Sequence, residues 1–148
     1  MKHPNKEIMR KLISYGPKKP ITAAIVDKKG NIISISFGKV LPSDKCIDPT
    51  AHSEVDAIRK ACKKLKTWCL KGYWLYSTFE PCPLCSSAAV WAEVDGIVYS
   101  NNPRYRGKEP NWSFIKCRTV LKRAEYLHKI KLHENFLIEE TKDFFIKK

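Results

Sequence analysis

The sequence predicts an α/β fold in three layers, α-β-α: a central mixed sheet of about five strands with helices on both faces. Three observations carry this expectation. Two short runs rich in Ile, Val and Ala, residues 21–27 and 31–37, flank Lys28-Lys29-Gly30 and read as a β-hairpin. After the hairpin, helical and strand-length patterns alternate, an order that covers a sheet with helices. The chain has 148 residues, 43% of them hydrophobic, enough for one sizeable core, so residues 1–148 are expected to form one domain.

Each element follows from a local pattern. Residues 5–15 place Ile8, Met9, Leu12 and Ile13 on one helical face, and Gly16-Pro17 ends that helix. The hairpin strands come next, then a loop over 38–48 containing Pro42 and Ser43-Asp44. A helix opens at Asp48-Pro49, a capping residue followed by proline. Its apolar stripe is Ala51, Val55, Ile58, Cys62 and Leu65, with Arg59, Lys60, Lys63 and Lys64 opposite. Gly72 turns the chain into a strand at 73–78. Pro81 opens a second helix over 82–93, and Asp95-Gly96 leads into a strand at 97–100. A polar loop with Pro and Arg, 101–112, is placed to lie over a site. A helix at 115–127, a short strand at 130–132 and an amphipathic helix at 136–148 complete the chain. Trp68, Trp74 and Trp91 are expected in the core, and His3, His128 and His133 on the surface or in packing.

Composition narrows the function classes. No apolar run reaches the length of a membrane span; 21–26 is among the longest. Residues 1–16 carry Lys and Arg at both ends and no central apolar block, so they do not read as a signal peptide. A cytoplasmic location without a membrane partner is expected. The six cysteines, 46, 62, 69, 82, 85 and 117, then read as reduced thiols rather than a disulfide framework. The net charge of +13 favours encounters with anions, nucleotides and nucleic acids included. No block of five consecutive basic residues marks a nucleic-acid arm.

The chemistry concentrates between Asp48 and Cys85. His52, Cys82 and Cys85 are an imidazole and two thiols, three good zinc ligands; three protein ligands leave a tetrahedral position open, as in catalytic zinc sites. Cys82 and Cys85, three apart at a helix start, share a face. His52 and Glu54, two apart, converge only in a first helical turn, where Asp48-Pro49 puts them. Helix N-termini favour thiolate over thiol. Glu54 is the natural proton carrier, taking a proton from water and delivering it to a ring nitrogen and then to a leaving amine. This H-x-E…P-C-x-x-C arrangement is that of zinc deaminases. Other readings of the C-x-x-C are a redox pair, or a structural zinc site with Cys46, Cys62 or His133 as fourth ligand.

On these motifs the chain resembles the cytidine and nucleoside deaminase superfamily, over about residues 20–100. Asp48-Pro49-Thr50-Ala51-His52-Ser53-Glu54 and Glu80-Pro81-Cys82-Pro83-Leu84-Cys85 look like the branch holding guanine deaminases and tRNA adenosine deaminases. Ala57-Ile58-Arg59-Lys60-Ala61-Cys62, Trp91-Ala92 and Ser113-Phe114-Ile115 lean toward guanine deaminase. The resemblance implies a cytidine deaminase-like sheet and zinc at the helix starts. It also implies a homodimer, with the C-terminal segment exchanged between subunits in guanine deaminases. It points to Phe37, Gly38, Ala51, Glu80 and Trp112 as substrate contacts. Three segments depart from the family. Ser36-Phe37-Gly38 replaces a G-W-N-like stretch whose Asn holds the base, and Pro20-Ile21-Thr22-Ala23 replaces P-F-G-A. Asn111-Trp112 stands where guanine deaminases tend to carry acidic residues.

The expected function is hydrolytic, zinc-dependent removal of an amino group from a nucleobase or related ring, guanine deaminase-like, with ammonia released. The enzyme alternatives are tRNA adenosine deamination and cytidine or nucleoside deamination. A non-catalytic RNA-binding subunit on the same fold is disfavoured, because such a subunit has no use for Glu54.

Overall fold

A computed structural model describes residues 2–38 and 47–146. Helix α1, Lys6–Ile13, starts where the Asn5 side chain accepts the Ile8 N–H, and it buries Ile8, Met9 and Leu12. Strands β1, Thr22–Val26, and β2, Ile32–Phe37, form the hairpin, with a register shift between Ile25 and Val26. Helix α2, Ser53–Leu65, strand β3, Trp74–Phe79, helix α3, Pro83–Ala92, and strand β4, Gly96–Asn101, follow in alternation. Helix α4, Cys117–Arg123, and strand β5, Lys131–His133, close the sheet.

The sheet order is β2-β1-β3-β4-β5. β1 is antiparallel to both β2 and β3, whereas β3, β4 and β5 run parallel. Alternation along each strand then divides the core in two. Ala23, Ile25, Leu75, Ile97 and Tyr99 face Ala57, Ala61, Ala89 and Leu121 of α2, α3 and α4. Ala24, Val26, Trp74, Tyr76 and Val98 face α1. The three layers expected from the sequence are therefore present, with α1 on one face and the other helices opposite. Gly96 starts β4 because a Cβ there would overlap the Trp74 ring on the neighbouring strand.

Several local expectations change. The helix expected from Asp48 begins at Ser53. Asp48 instead accepts the Thr50 N–H and hydroxyl in a separate turn, and His52 takes the capping position. Most of the 38–48 loop, with Pro42, Ser43-Asp44 and Cys46, lies outside the described residues. The helix at 115–127 contracts to α4. The helix at 136–148 is replaced by a short 3-10 turn at Ile138–Glu140 and further turns to residue 146. Asn135 and Leu137 take positive φ there, and the chain trades helical bonding for contacts with the sheet. Buried Thr141 bonds the Ser100 hydroxyl at 2.7 Å, and its carbonyl accepts from the Asn101 amide. Trp74 is in the core, but Trp68 and Trp91 are 68% and 73% exposed: Trp68 follows the end of α2, and Trp91 lies on the outer side of α3. His3 stacks on Trp74, and His128 bonds the Val94 carbonyl. Among the described residues no helix is long and apolar enough to cross a membrane.

Candidate active site

Two helix starts on the same side of the sheet build the site. β3 runs out at Phe79, Glu80-Pro81 carries the chain past the sheet end, and Pro83 sets the first turn of α3. This leaves Cys82 at the capping position of α3 and Cys85 one turn inside it. His52 occupies the same capping position on α2, and Glu54 lies in that helix's first turn. Neither Cys82 nor His52 spends its side chain on a capping bond. Both side chains are therefore free to meet across the gap.

The His52 Nδ1 lies 3.4 Å from the Cys82 Sγ, which lies 3.6 Å from the Cys85 Sγ. The three ligand atoms fall within 4.8 Å of one another. Tetrahedral zinc with ordinary Zn–S and Zn–N bonds needs separations of roughly 3.6–3.8 Å, close to the two distances at Cys82. Among the described residues no fourth ligand joins the cluster. Of the three candidates for a fourth ligand, the Cys62 Sγ contacts the Trp68 carbonyl and His133 stacks on Trp74, so neither of these joins the cluster, and Cys46 lies outside the described residues. Cys62, Cys69, Cys82, Cys85 and Cys117 are free thiols.

Electrostatics matches this role. The Cys85 thiol donates to Cys82, and with His52 beside it this holds the Cys82 thiol far below its usual range. The same hydrogen bond, together with burial, pushes Cys85 up. The pair thus shares one proton, which a metal ion displaces. Contact with Cys82 raises His52. Glu54 is only 4% exposed. Burial pushes its carboxyl up to about 7 and the nearby Cys82 charge adds to this, while the Ser53 hydroxyl, bonded to Oε1, opposes it.

These groups surround a cavity of about 20 Å³, room for about one water. Its polar side is His52, Ser53, Glu54, Glu80 and Cys82; Ile21, Gly38, Phe79 and Trp112 complete it. Gly38, Glu80 and Trp112 thus come together with the metal-binding cluster. Phe37 does not line this cavity; it packs edge-on against Tyr15, with Lys19 over its ring. Ala51 is buried beside the cluster without lining the cavity. Glu80 turns its carboxylate to the Cys117 N–H. Trp112 packs edge-on against Phe79 and Phe145 at 5.6 and 5.9 Å, so the C-terminal segment braces the cavity wall. Sequence reasoning missed Ile21, Ser53 and Phe79 as lining residues. Ser53 and Phe79 were signalled only by adjacency to His52 and to Glu80-Pro81.

The profile described as the cytidine and deoxycytidylate deaminase zinc-binding region matches residues 4–101. The tRNA-specific adenosine deaminase of Aquifex aeolicus is 34% identical over 120 residues, 81% of this chain and 74% of that protein. The guanine deaminase of Bacillus subtilis is 44% identical over 77 residues, 52% of this chain and about half, 47%, of its own length. A solved structure from work on A-to-I editing by tRNA:A34 deaminases matches in fold with TM-score 0.69 at 24% identity, covering 93% of this chain and 96% of that one.

Proposed function

The chain belongs to the cytidine and deoxycytidylate deaminase zinc-binding family, and from that premise we propose that it deaminates a purine-type nucleobase by hydrolysis. It is a zinc-dependent deaminase, a hydrolase of C–N bonds. The observation that supports the substrate reading is the position of Glu54, His52 and Cys82 on one cavity walled by Phe79 and Trp112. Flat aromatic walls suit a planar ring.

We assign His52, Cys82 and Cys85 to the metal and Glu54 to the proton. A zinc ion held there supplies a Lewis acid that makes water a competent nucleophile near neutral pH. Glu54 takes the water's proton, since a carboxyl held near pKa 7 both accepts and returns protons at that pH. It passes that proton to a ring nitrogen as the water oxygen bonds to the ring carbon bearing the amino group; the second proton, from the new hydroxyl, goes through Glu54 to the amine, and the C–N bond breaks to leave ammonia and a ring carbonyl. Ser53 fixes the orientation of Glu54 by donating its hydroxyl to Oε1.

A second reading, tRNA adenosine deamination, is favoured by the longer alignment with the Aquifex aeolicus relative and by the net charge of +13. The two readings differ in what is attached to the base. Ammonia release from guanine, other aminopurines, adenosine, cytidine and a tRNA anticodon stem-loop separates them. Turnover of a free purine supports the first reading. Inosine in the stem-loop, with no turnover of free bases, transfers the case to the second, and release from none of these overturns both.

A further inference from the structure

β2 is the outermost strand of the sheet, and among the described residues no strand pairs with its outer side. Such an edge presents backbone groups that can template pairing with another chain. The strand is well suited to that pairing. Residues 31–38 hold three isoleucines and a phenylalanine and carry neither charge nor proline, in a chain of net charge +13. Two copies of this stretch can therefore meet without the like-charge repulsion that covers much of the remaining surface.

Alternation along the strand fixes which groups point outward. Gly38 donates its N–H to the Ile21 carbonyl at 2.9 Å, so residues 36 and 38 bond to the β1 side and residues 35 and 37 turn to the edge. The register steps from Ser34 opposite Ile25 to Ile32 opposite Val26, which leaves Ile33 as an extra residue in the edge strand. Two of the edge carbonyls are already taken. Lys60 Nζ lies 3.3 Å from the Ile35 oxygen and Lys64 Nζ 3.5 Å from the Ile33 oxygen. The two lysines are four apart on α2 and so share one face of it. Asp56, one turn earlier, lies 3.7 Å from the Lys60 ammonium and accepts the Ser36 hydroxyl at 3.2 Å, which steadies that ammonium beside the strand.

A pairing strand runs about 4.8 Å from its neighbour, with its N–H nitrogen about 2.9 Å from the carbonyl oxygen it bonds. Each ammonium stands where that N–H has to come. We propose that the β2 edge is a self-pairing surface which Lys60 and Lys64 keep closed. Its occupant, once the lysines are removed, is β2 of a second copy, antiparallel across a two-fold axis. With the lysines in place, an incoming strand has to displace both ammonium groups or bury them without partners, and either is costly. The same lysines also bridge α2 to β2. A bridge without the closing role predicts lost stability on their removal, and no association.

Light scattering behind size exclusion, over a concentration series at about 0.15 M salt, tests this. The wild-type mass is the reference, so an assembly made through other surfaces is common to every variant. Lys60→Ala/Lys64→Ala should raise the mass about twofold at the top of the series. Hydrogen exchange at residues 33–37 should slow about tenfold or more as that species forms. Lys60→Arg/Lys64→Arg restores a cation of similar reach and should keep the wild-type mass. Lys63→Ala/Lys129→Ala removes the same charge from exposed positions that make no bond to β2 among the described residues, and it should keep that mass too. Both lysines of the test pair are exposed, and far-UV dichroism with a denaturant melt checks that each variant folds. An unchanged mass in the alanine pair, with or without lost stability, overturns the proposal and leaves the lysines as a bridge. Association that leaves residues 33–37 unprotected, or that the Lys63/Lys129 variant matches, overturns it as well.

Discussion

Glu54 carries its carboxyl in the first turn of α2, bonded to the Ser53 hydroxyl and kept out of solvent. Glutamine has the same shape and still accepts that hydroxyl, so Glu54→Gln should keep the fold and about one zinc per chain. Turnover should fall at least about a hundredfold, the usual worth of a positioned acid–base group. Metal analysis beside activity checks this, and loss of zinc in the variant would make Glu54 a ligand. His52→Ala and Cys82→Ala should lose the metal as well as the activity. Gly38 is the complementary case. A Cβ there would meet the Ile21 side chain at 3.4 Å, ordinary contact, so the wall accepts a larger residue. With no amide at this position, the wild-type chain should turn over guanine weakly, because a base-reading bond is missing. Gly38→Asn should raise kcat/KM for guanine. Efficient guanine turnover by the unmodified chain would show that other groups read the base.

At the scale of elements, β3 links the two faces of the sheet: Leu75 packs under α2 and α3, and Trp74 and Tyr76 pack under α1. Tyr76 ties the N-terminal segment to the strand. Its hydroxyl lies 2.7 Å from the His3 Nδ1 and accepts the Asn5 N–H. Burial pushes its pKa up to about 12 from 10.0. The group is thus held neutral in the fold while the unfolded chain ionises first. Its stability contribution is fully present below pH 10 and is lost as pH rises through 12. The stability of the wild type relative to Tyr76→Phe should therefore drop by roughly 2 kcal/mol across that window. Denaturant melts of both proteins at successive pH values measure it, and a pH-independent difference would show the hydroxyl to be solvated.

For the molecule as a whole, the metal-binding cluster joins residue 52 to residues 82–85, so it staples α2 to α3 at the end of the sheet where the C-terminal segment returns. An ion that binds the folded chain and not the unfolded one stabilises it by mass action. Stripping the metal with a chelator should lower the melting midpoint by roughly 5–15 °C while leaving far-UV dichroism near native. The sheet core does not depend on the cluster. Unchanged melting after metal removal would show the staple to be energetically idle. The C-terminal segment is a second closure: Thr141 locks onto β4, and Phe145 braces Trp112. Gly107, at φ +64°, passes so close to the Phe145 carbonyl that a side chain there would collide with it.

The element order, the mixed sheet and the metal-binding cluster were legible in the amino-acid sequence because each is written locally. Strand and helix periods repeat within a few residues. The histidine and the two cysteines sit at helix starts that Pro49, Pro81 and Pro83 signal, although α2 itself begins later, at Ser53. The path of residues 136–146 was not legible. An amphipathic pattern allows a helix, and only the buried bonds of Thr141 to Ser100 and Asn101 favour turns instead. The exposure of Trp68 and Trp91 likewise depended on which helix faces found partners. The same holds for the cavity wall, where Ile21 and Phe79 join the expected Trp112 from distant parts of the chain. Local pattern states what a segment is able to form. Which long-range contacts it makes is decided when the whole chain competes for the same buried space.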